Sequence, residues 1–358
     1  MTPNNEPTVI KLSSPSDIVT AVPVVLGFHP AESLVVMCLS GPRRRQGLTM
    51  RIDLPEPQHD DTLAADLVHR AERDDAEAVV AVCYTELPDV DGDLPRRDLI
   101  DTLTGAFGRR NIGLLELLLV RGGRWYSYVC SEECCPPEGT PITATRNSEM
   151  LALEARAALD GHAVLGSREE LEATIRGPVA VREAVLRASY QRIGETFFDE
   201  ITQHGADHAL QRTLQLARAA YERFLGGDHA LADDDAVRIL LGLEDKFARD
   251  ELLTWALDDS PEELVVLLSA LARCALDENA APICSALACV AYQMGNGALA
   301  NIAVERALAS EPGYELARLI DASLQAQIEP AEIRAMARRT RDYLRELGMS
   351  DGSQSEAA

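Results

Sequence analysis

The sequence predicts an α/β domain over residues 1–145, followed by an all-α domain over residues 146–349. Two observations in the first region support this fold class. Short apolar runs alternate with amphipathic segments, and a Gly-Gly pair predicts a β-hairpin within a mixed sheet. The third observation is that the second region contains helical patterns only, separated by Gly, Pro and Asp. The 358 residues, 46% of them hydrophobic, are enough for two such domains.

Local patterns predict the elements of the first domain. Residues 78–84 form a continuous apolar run with the length of a buried strand, whereas Leu63, Leu67 and Ala71 recur at helical spacing. Pro95 suits the first turn of a helix, where its missing N–H leaves no hydrogen bond unmade. The predicted elements are a strand at Val9-Ile10, a helix capped by Ser16-Asp17 and running to Leu26, strands Ser33–Leu39 and Leu48–Leu54, a helix over Thr62–Asp75, a strand over Ala78–Tyr84 and a helix from Pro95 to about Arg110.

The hairpin can be predicted with its register. Gly122-Gly123 supplies the two central residues of a primed turn, both of which need positive φ. Counting outward places Cys130 at the end of the second strand, on the same face as Tyr126 and Tyr128. The predicted strands are Leu114–Val120 and Arg124–Cys130, with Val120 opposite Trp125, Leu118 opposite Ser127 and Leu115 opposite Cys130.

The second domain is predicted to be tetratricopeptide-like. Residues from Cys284 to Pro312 fit one repeat of that template, which wants small residues where its two helices cross. A degenerate helical repeat and an ordinary helical bundle both remain open, because the match is single. Helices are predicted near residues 147–159, 167–176, 179–204, 207–225, 234–243, 245–257, 261–276, 281–294, 298–309, 314–327 and 330–347, with a disordered tail over 350–358.

Charge and composition exclude several partners. Lys and Arg total 34 against 58 Asp and Glu, and the net charge of −24 repels phosphate backbones and anionic membranes. The N-terminus lacks the pattern of a signal peptide, and no run approaches the roughly 18 apolar residues of a membrane span. We therefore expect a cytoplasmic protein that binds neither nucleic acid nor membrane. Its oligomeric state stays open.

Complete catalytic motifs are absent from the sequence. Neither lysine is followed by Ser or Thr, which excludes a phosphate-binding P-loop, and no serine-hydrolase or zinc-protease motif occurs. Asp89–Asp93 resembles a calcium loop but lacks the closing Glu, so a turn is expected there. Glu200, His204 and His208 share a four-residue spacing, but Gly205 should break the helix and make the three side chains diverge.

Three of the eight cysteines lie within six positions, at Cys130, Cys134 and Cys135. Thiols stay reduced in the cytosol, so packing, metal binding and redox chemistry remain as alternatives. No cofactor is predicted outright; zinc is the alternative, with His29 or His59 as a speculative fourth ligand. Glu132 and Glu133 are expected to raise the pKa of the nearby thiols. The remaining cysteines are predicted to be inert core residues: Cys38, Cys83, Cys274, Cys284 and Cys289.

The two loops of the first domain also carry polar residues. His29, Glu32 and Ser33 follow the first helix, and a loop capped by Ser and Glu explains them better than a catalytic triad. The polar groups that could instead line a ligand pocket beside the hairpin are His29, Glu32, Arg124 and Glu138.

Three segments give the chain a family resemblance. AVPVVLGFHPAESLVVMCLSG (21–41), GGRWYSYVCSEECCPPEGTPI (122–142) and GNGALANIAVERALASEPGYELARLI (295–320) resemble an actinobacterial family, the domain of unknown function DUF4192. The resemblance covers most of residues 9–330. It implies a cytosolic bacterial protein in which both N-terminal loops recur, and it implies no particular activity.

The sequence thus leaves two functions to test. The leading hypothesis is a non-enzymatic interaction or regulatory protein whose helical grooves bind a protein or peptide. The alternative is a small-molecule enzyme or ligand sensor with its pocket at the N-terminal loops.

Overall fold

The computed structural model describes residues 14–142, 164–258 and 260–347. The chain divides between Arg168 and Glu169 into two compact units, here called the N-terminal unit and the helical unit. The predicted domain boundary near residue 145, the strand at Val9-Ile10, the helix at 147–159 and the tail at 350–358 lie outside the described residues. Those four predictions therefore stay predictions.

The N-terminal unit is an α/β domain, as the sequence predicts. In chain order its elements are α1 (Pro15–Leu26), β1 (Ser33–Ser40), β2 (Arg45–Asp53), α2 (Asp60–Arg73), β3 (Ala78–Tyr84), α3 (Arg97–Gly108), β4 (Gly113–Arg121), β5 (Arg124–Ser127) and β6 (Thr140–Pro141). A short 3₁₀ turn, Pro57–His59, leads into α2.

The six strands form one mixed sheet in the order β2-β1-β3-β4-β5-β6. β3 and β4 run parallel, and the other neighbouring strands are antiparallel. The predicted hairpin is confirmed: Val120 pairs with Trp125, and Gly122 and Gly123 have φ angles of 55° and 71°. A β-carbon would disfavour both of these conformations, which is why the turn uses glycine.

Both faces of the sheet are covered. Side chains alternate along each strand, so neighbouring residues point to opposite faces. α2 and α3 cover one face, where Leu67 and Leu103 share a core cluster with Leu119 of β4. α1 covers the other face, where the buried indole N–H of Trp125 donates to the Ser16 hydroxyl at 2.9 Å.

The start of α1 differs from the prediction. Ser14, and not Ser16-Asp17, caps the helix: its hydroxyl accepts from the Asp17 N–H at 3.2 Å, and the Asp17 carboxylate accepts from the Ser14 N–H at 3.0 Å. This reciprocal pair is a capping box, and Pro15 occupies the first helical position, where proline is favoured. Because the cap lies at Ser14, Ser16 falls inside the helix and faces the sheet.

α3 also begins later than predicted. Pro95 precedes the helix, because Arg96 adopts a left-handed conformation with φ of 62° and interrupts any helical path. The Arg96 guanidinium donates to the Pro55 carbonyl and to the Asp60 carboxylate, each at 2.7 Å. These bonds tie the start of α3 to the start of α2.

The described residues of the helical unit form helices joined by turns and loops. They are α4 (Arg168–Ala173), α5 (Ala180–His204), α6 (Ala206–Leu225), α7 (Asp233–Gly242), α8 (Lys246–Thr254), α9 (Pro261–Cys274), α10 (Ala280–Gln293), α11 (Gly297–Ser310), α12 (Glu315–Gln325) and α13 (Pro330–Glu346). Each predicted helix from 167 onward is confirmed, with ends shifted by a few residues. Within the described parts of the chain, none of the helices has the length and apolar character that a membrane crossing requires.

Candidate functional site

The chain enters the cysteine loop from a firmly held strand end. Beyond β5, the Tyr128 N–H donates to the Leu117 carbonyl at 2.9 Å. The Tyr128 hydroxyl donates to the Pro95 carbonyl at 2.7 Å, and Arg97 donates to the Tyr128 carbonyl at 2.6 Å. Leu117 of β4, Pro95 and Arg97 of α3 therefore hold Tyr128, which lies two positions before Cys130.

The strand ends earlier than the sequence predicts, so the expected pair of Leu115 with Cys130 is absent from the sheet. The hydroxyl of Ser127 accepts from the N–H groups of Val129 and Cys130, at 3.3 and 3.0 Å. In a continued antiparallel strand the Cys130 N–H, and not that of Val129, would bond to β4. The Ser127 hydroxyl takes that role for Cys130, and the chain turns out of the sheet.

The three sulfur atoms of this loop converge. The Sγ atoms of Cys130 and Cys134 lie 3.7 Å apart, and those of Cys130, Cys134 and Cys135 all lie within 4.8 Å of one another. Cys134 is exposed, and the other two are half-buried. Across the described residues, no His, Asp or Glu ligand atom joins this group, so neither His29 nor His59 supplies the speculated fourth ligand.

The exit of the loop is also held. The Cys135 N–H donates to the Glu132 carbonyl at 2.8 Å and closes a turn, and the Arg124 guanidinium donates to the Glu138 carbonyl at 2.8 Å. Gly139 has φ of 74° and lies against the Tyr126 ring, where a β-carbon would come within 2.6 Å of two ring atoms. A glycine is therefore required where the loop returns to β6.

The loop makes two of its thiols electrostatically different. Interaction with the Glu132 backbone, followed by hydrogen bonds with Cys135 and Cys134, lowers the pKa of the Cys130 thiol. Burial, followed by its hydrogen bonds to the other two thiols, raises the pKa of Cys135 to about 12. The charge of Glu132 raises the pKa of the Cys130 thiol, as the sequence predicts, but the interactions with the Glu132 backbone and the other two thiols outweigh it and the net shift is downward.

The other five cysteines lie on the strands and helices that the sequence predicts, four of them buried and Cys289 half-buried. Cys38 and Cys83 lie in strands with their side chains in the core, and burial raises the pKa of Cys83 to about 11. The remaining three lie on helices, where burial also raises the thiol pKa: Cys274, Cys284 and Cys289. A buried thiol held protonated is a poor nucleophile and a poor metal ligand.

Comparison with known protein families identifies the family of this chain. A family model described as domain of unknown function DUF4192 matches residues 15–331. The chain belongs to the DUF4192 family. The match spans both N-terminal loops and most of the helical unit, which agrees with the resemblance drawn from the sequence. No curated protein and no solved structure matches this DUF4192 chain.

The four polar residues expected to line a pocket in the DUF4192 chain do not meet directly. Glu32 caps the end of β3, where its carboxylate accepts from the Thr85 hydroxyl at 2.8 Å, and His29 is exposed. Arg124 instead contacts the backbone of Glu138, whose side chain is exposed. β3 and β4 separate β1 from β5, a distance of about 14 Å at the usual strand spacing. A pocket shared by all four stays a prediction.

Sequence reasoning missed two buried hydroxyls beside that first loop. Ser33 begins β1 and Tyr84 ends β3, and the two residues pair directly across the strands. They are 0% and 6% exposed, and the structure gives neither side-chain oxygen a hydrogen-bond partner among the described residues. Polar residues at adjoining ends of two otherwise apolar strands are the signal that could have identified them.

The acidic segment Asp89–Asp93 forms the expected turn. Val90 and Asp93 exchange backbone hydrogen bonds of 2.9 Å, and Asp91 and Gly92 between them both have positive φ. The Arg121 guanidinium donates to the Asp89 carboxylate at 2.8 Å. Arg121 therefore already pairs with a carboxylate that a calcium ion would need as a ligand.

The prediction that Glu200, His204 and His208 diverge is wrong. α5 ends at His204 and α6 begins after Gly205, as predicted, but the rings of His204 and His208 lie 5.0 Å apart. One Glu200 oxygen accepts from Arg238 at 3.0 Å, and the other lies 3.7 Å from His208 Nε2. The Arg238 guanidinium therefore already balances the charge of the Glu200 carboxylate, which a metal ion would otherwise do.

A surface cleft of about 380 Å³ lies in the helical unit beside α4 and α11. Its principal cation, Arg306, donates to the carbonyls of Ala272 and Ala275 at 2.7 and 2.9 Å, and also to that of Ile175. These partners close the end of α9, so Arg306 stabilises the fold.

Proposed function

We propose that this DUF4192 protein is a non-enzymatic interaction protein whose helical unit binds a partner through α5. The surface consists of Val181, Ala184, Val185 and Ala188, here called the α5 stripe. All four are exposed, and Val181 retains 80% of its accessible surface. They recur at i, i+3, i+4 and i+7, so they form one apolar ridge about 10 Å long. The α5 stripe is the observation that supports the proposal, because contiguous exposed apolar surface is typical of interaction sites.

The opposite side of α5 is occupied by its own unit. Leu186 and Ser189 are buried there. Arg182 donates twice to the Asp233 carboxylate at the start of α7, at 2.6 and 2.5 Å, and Arg192 pairs with Asp234. These contacts hold α5 against α7, so the α5 stripe stays turned away from the helix that packs on α5.

An amphipathic helix is the partner segment that this surface suits best. Apolar residues four apart along a helix form a ridge that packs into the groove of a second helix. Recognition of this kind requires three or four apolar anchors on the partner, at the same spacing. The occupant that we propose is therefore a helix of another protein with one apolar face.

The hairpin of α10 and α11 supports a repeat-like origin for the helical unit. Its residues at the tetratricopeptide positions are buried where the helices cross, at Leu287, Ala288, Ala291, Ala300 and Ala307, with Gly295 in the connection and Pro312 beyond α11. α10 itself is buried on almost every side, as a central bundle helix would be. For this reason the proposed partner surface lies on α5 and not in a groove beside α10.

The test is site-specific photo-crosslinking in the native host, with the crosslinking residue at position 184 in the α5 stripe. We expect an adduct with one reproducible partner, and its loss when Val181→Asp and Val185→Asp are added. The control places the crosslinker at Leu319, which is 59% exposed on α12, and should give no adduct with the same partner. No reproducible adduct from position 184, or an adduct indifferent to both aspartates, would refute the proposal.

A second candidate function is the binding of a small polar molecule at Ser33 and Tyr84. A buried hydroxyl without a partner costs about 1–3 kcal/mol, and native proteins keep few of them. Two such hydroxyls, on residues that pair across β1 and β3, favour a bound acceptor such as a carboxylate or phosphate.

Thermal unfolding tests this candidate with a panel of small carboxylates and phosphates. Tyr84→Phe should unfold at a higher temperature than the wild type without ligand, because it removes an unpaired hydroxyl. A compound that stabilises the wild type and not Tyr84→Phe supports the site. Equal shifts in both proteins, or none in either, would refute it.

A further inference from the structure

We propose that Cys130, Cys134 and Cys135 form a three-thiolate site for Zn²⁺, with the fourth coordination position open to solvent. This inference concerns the N-terminal unit and is independent of the partner surface on α5. It follows from the spacing of the sulfur atoms, from the hydrogen bonds of the loop and from the charge around it.

The sulfur spacing fits a tetrahedral zinc ion. Zn–S bonds of about 2.3 Å at tetrahedral angles place two sulfurs about 3.8 Å apart. The Cys130 and Cys134 sulfurs already lie 3.7 Å apart, and Cys135 Sγ lies within 4.8 Å of both. The backbone therefore presents three ligands close to their bound positions. A disulfide, with sulfurs about 2.05 Å apart, would require a larger movement of the loop.

Hydrogen bonds hold the backbone of the loop in place. The Cys135 N–H closes a turn on the Glu132 carbonyl at 2.8 Å. Contacts that fix ligand residues in this way support a metal, because they orient the ligands before it binds. The hydrogen bonds at Ser127 and at Arg124 anchor the two ends of the loop.

Charge favours a divalent ion. Three thiolates carry a charge of −3, and the exposed acids Glu132 and Glu133 lie in the same loop. Zn²⁺ reduces this excess more than a monovalent thiophilic ion such as Cu⁺ does. On binding, the three thiols release their protons to the buffer, so the ion replaces them without any oxidation or reduction.

Exposure determines what kind of zinc site this would be. Structural sites close the tetrahedron with four protein ligands, whereas sites that bind an external molecule keep one position open. Here Cys134 is exposed, and the described residues offer no fourth ligand. The site that we propose would therefore bind a water molecule or an external thiol, amine or carboxylate at its fourth position.

The experiment uses the full chain, purified without oxygen, stripped by a chelator and titrated with Zn²⁺ against a metal indicator. We expect one zinc per chain, and loss of about 100-fold or more in affinity for Cys134→Ser, since even second-shell changes cost 10–100-fold. Cys134 is exposed, so its serine variant should fold, and far-UV circular dichroism checks this. Cys289→Ala, on α10, is the matched control and should bind as the wild type does.

Cobalt gives an independent readout. Co²⁺ in the same site should show sulfur-to-metal charge-transfer absorption, which weakens in steps when Cys130→Ser and Cys134→Ser are introduced. Wild type that binds less than about 0.1 zinc per chain, or Cys134→Ser that binds as tightly as the wild type, would overturn the proposal. A Cys130–Cys134 disulfide that forms in the presence of zinc would overturn it in favour of a redox pair.

Discussion

Replacing Gly139 by alanine should destabilise the N-terminal unit and should do so through Tyr126. An alanine at φ of 74° costs about 1–2 kcal/mol of backbone strain. Its β-carbon would also lie 2.6 Å from two atoms of the Tyr126 ring, where ordinary contact begins near 3.4 Å. Such overpacking costs about 1–3 kcal/mol more, so we expect a total loss of about 2–5 kcal/mol.

Gly123→Ala is the matched control. Gly123 has φ of 71°, but no heavy atom lies within 4 Å of the added β-carbon. It should therefore show the backbone cost alone, about 1–2 kcal/mol. The difference between the two variants measures the contact with Tyr126.

Urea unfolding followed by Trp125 fluorescence is the assay. Trp125 is buried in the N-terminal unit, and the chain's other tryptophan, Trp255, is buried in the helical unit. A Trp255→Phe background therefore makes the signal specific for the sheet. In a double-mutant cycle, Tyr126→Ala should reduce the cost of Gly139→Ala to the backbone term. Equal costs for both glycine variants, or no coupling with Tyr126→Ala, would refute the reasoning.

Three further predictions concern the helical unit. Gly242→Ala places a β-carbon against the Thr213 side chain and should lower the free energy of unfolding by about 1–3 kcal/mol. Gly194→Ala, with open space around it, should stabilise α5 by about 0.5–1 kcal/mol, and the reverse order in urea unfolding would contradict this. Arg306→Met should lower the free energy of unfolding by about 2–4 kcal/mol, because it leaves carbonyls at the end of α9 without their charged donor, and unchanged stability would argue against that role. Burial raises the pKa of Glu251, so its contribution to stability is present below its ordinary pKa and is lost as the pH rises through the raised value. Glu251→Gln should therefore flatten this part of the plot of unfolding free energy against pH. An unchanged slope would show that another group titrates there.

The cysteine loop shows where sequence reasoning succeeded and where it stopped. Its position after a Gly-Gly hairpin was predictable, because turn chemistry and strand alternation are local properties. The early end of the strand was not, because it depends on which donors the Ser127 hydroxyl satisfies. The lowered pKa of Cys130 was missed for a similar reason. The effect of the Glu132 backbone on this pKa has no sequence signature, whereas the effect of the Glu132 charge does.

The polar residues of the N-terminal unit show the same division. The sequence predicts that Glu32 caps a loop, and its carboxylate accepts from Thr85, 53 positions later. The polar strand ends at Ser33 and Tyr84 are visible in the sequence, but their pairing and their lack of partners depend on the order of strands in the sheet. The same holds for Ser16, whose contact with Trp125 joins α1 to a strand more than 100 residues away.

By itself, the sequence determined the α/β class of the N-terminal unit, the helices of the helical unit, the hairpin register and the family. These properties follow from periodicity, turn residues and motifs that are read along a few neighbouring positions. Only the tertiary structure decided that three sulfurs converge within 4.8 Å, that two hydroxyls are buried unpaired and that α5 exposes an apolar stripe. Such features are set by distances between atoms and by which surfaces remain uncovered. Both depend on how whole elements pack, and residue spacing along the chain does not specify that packing.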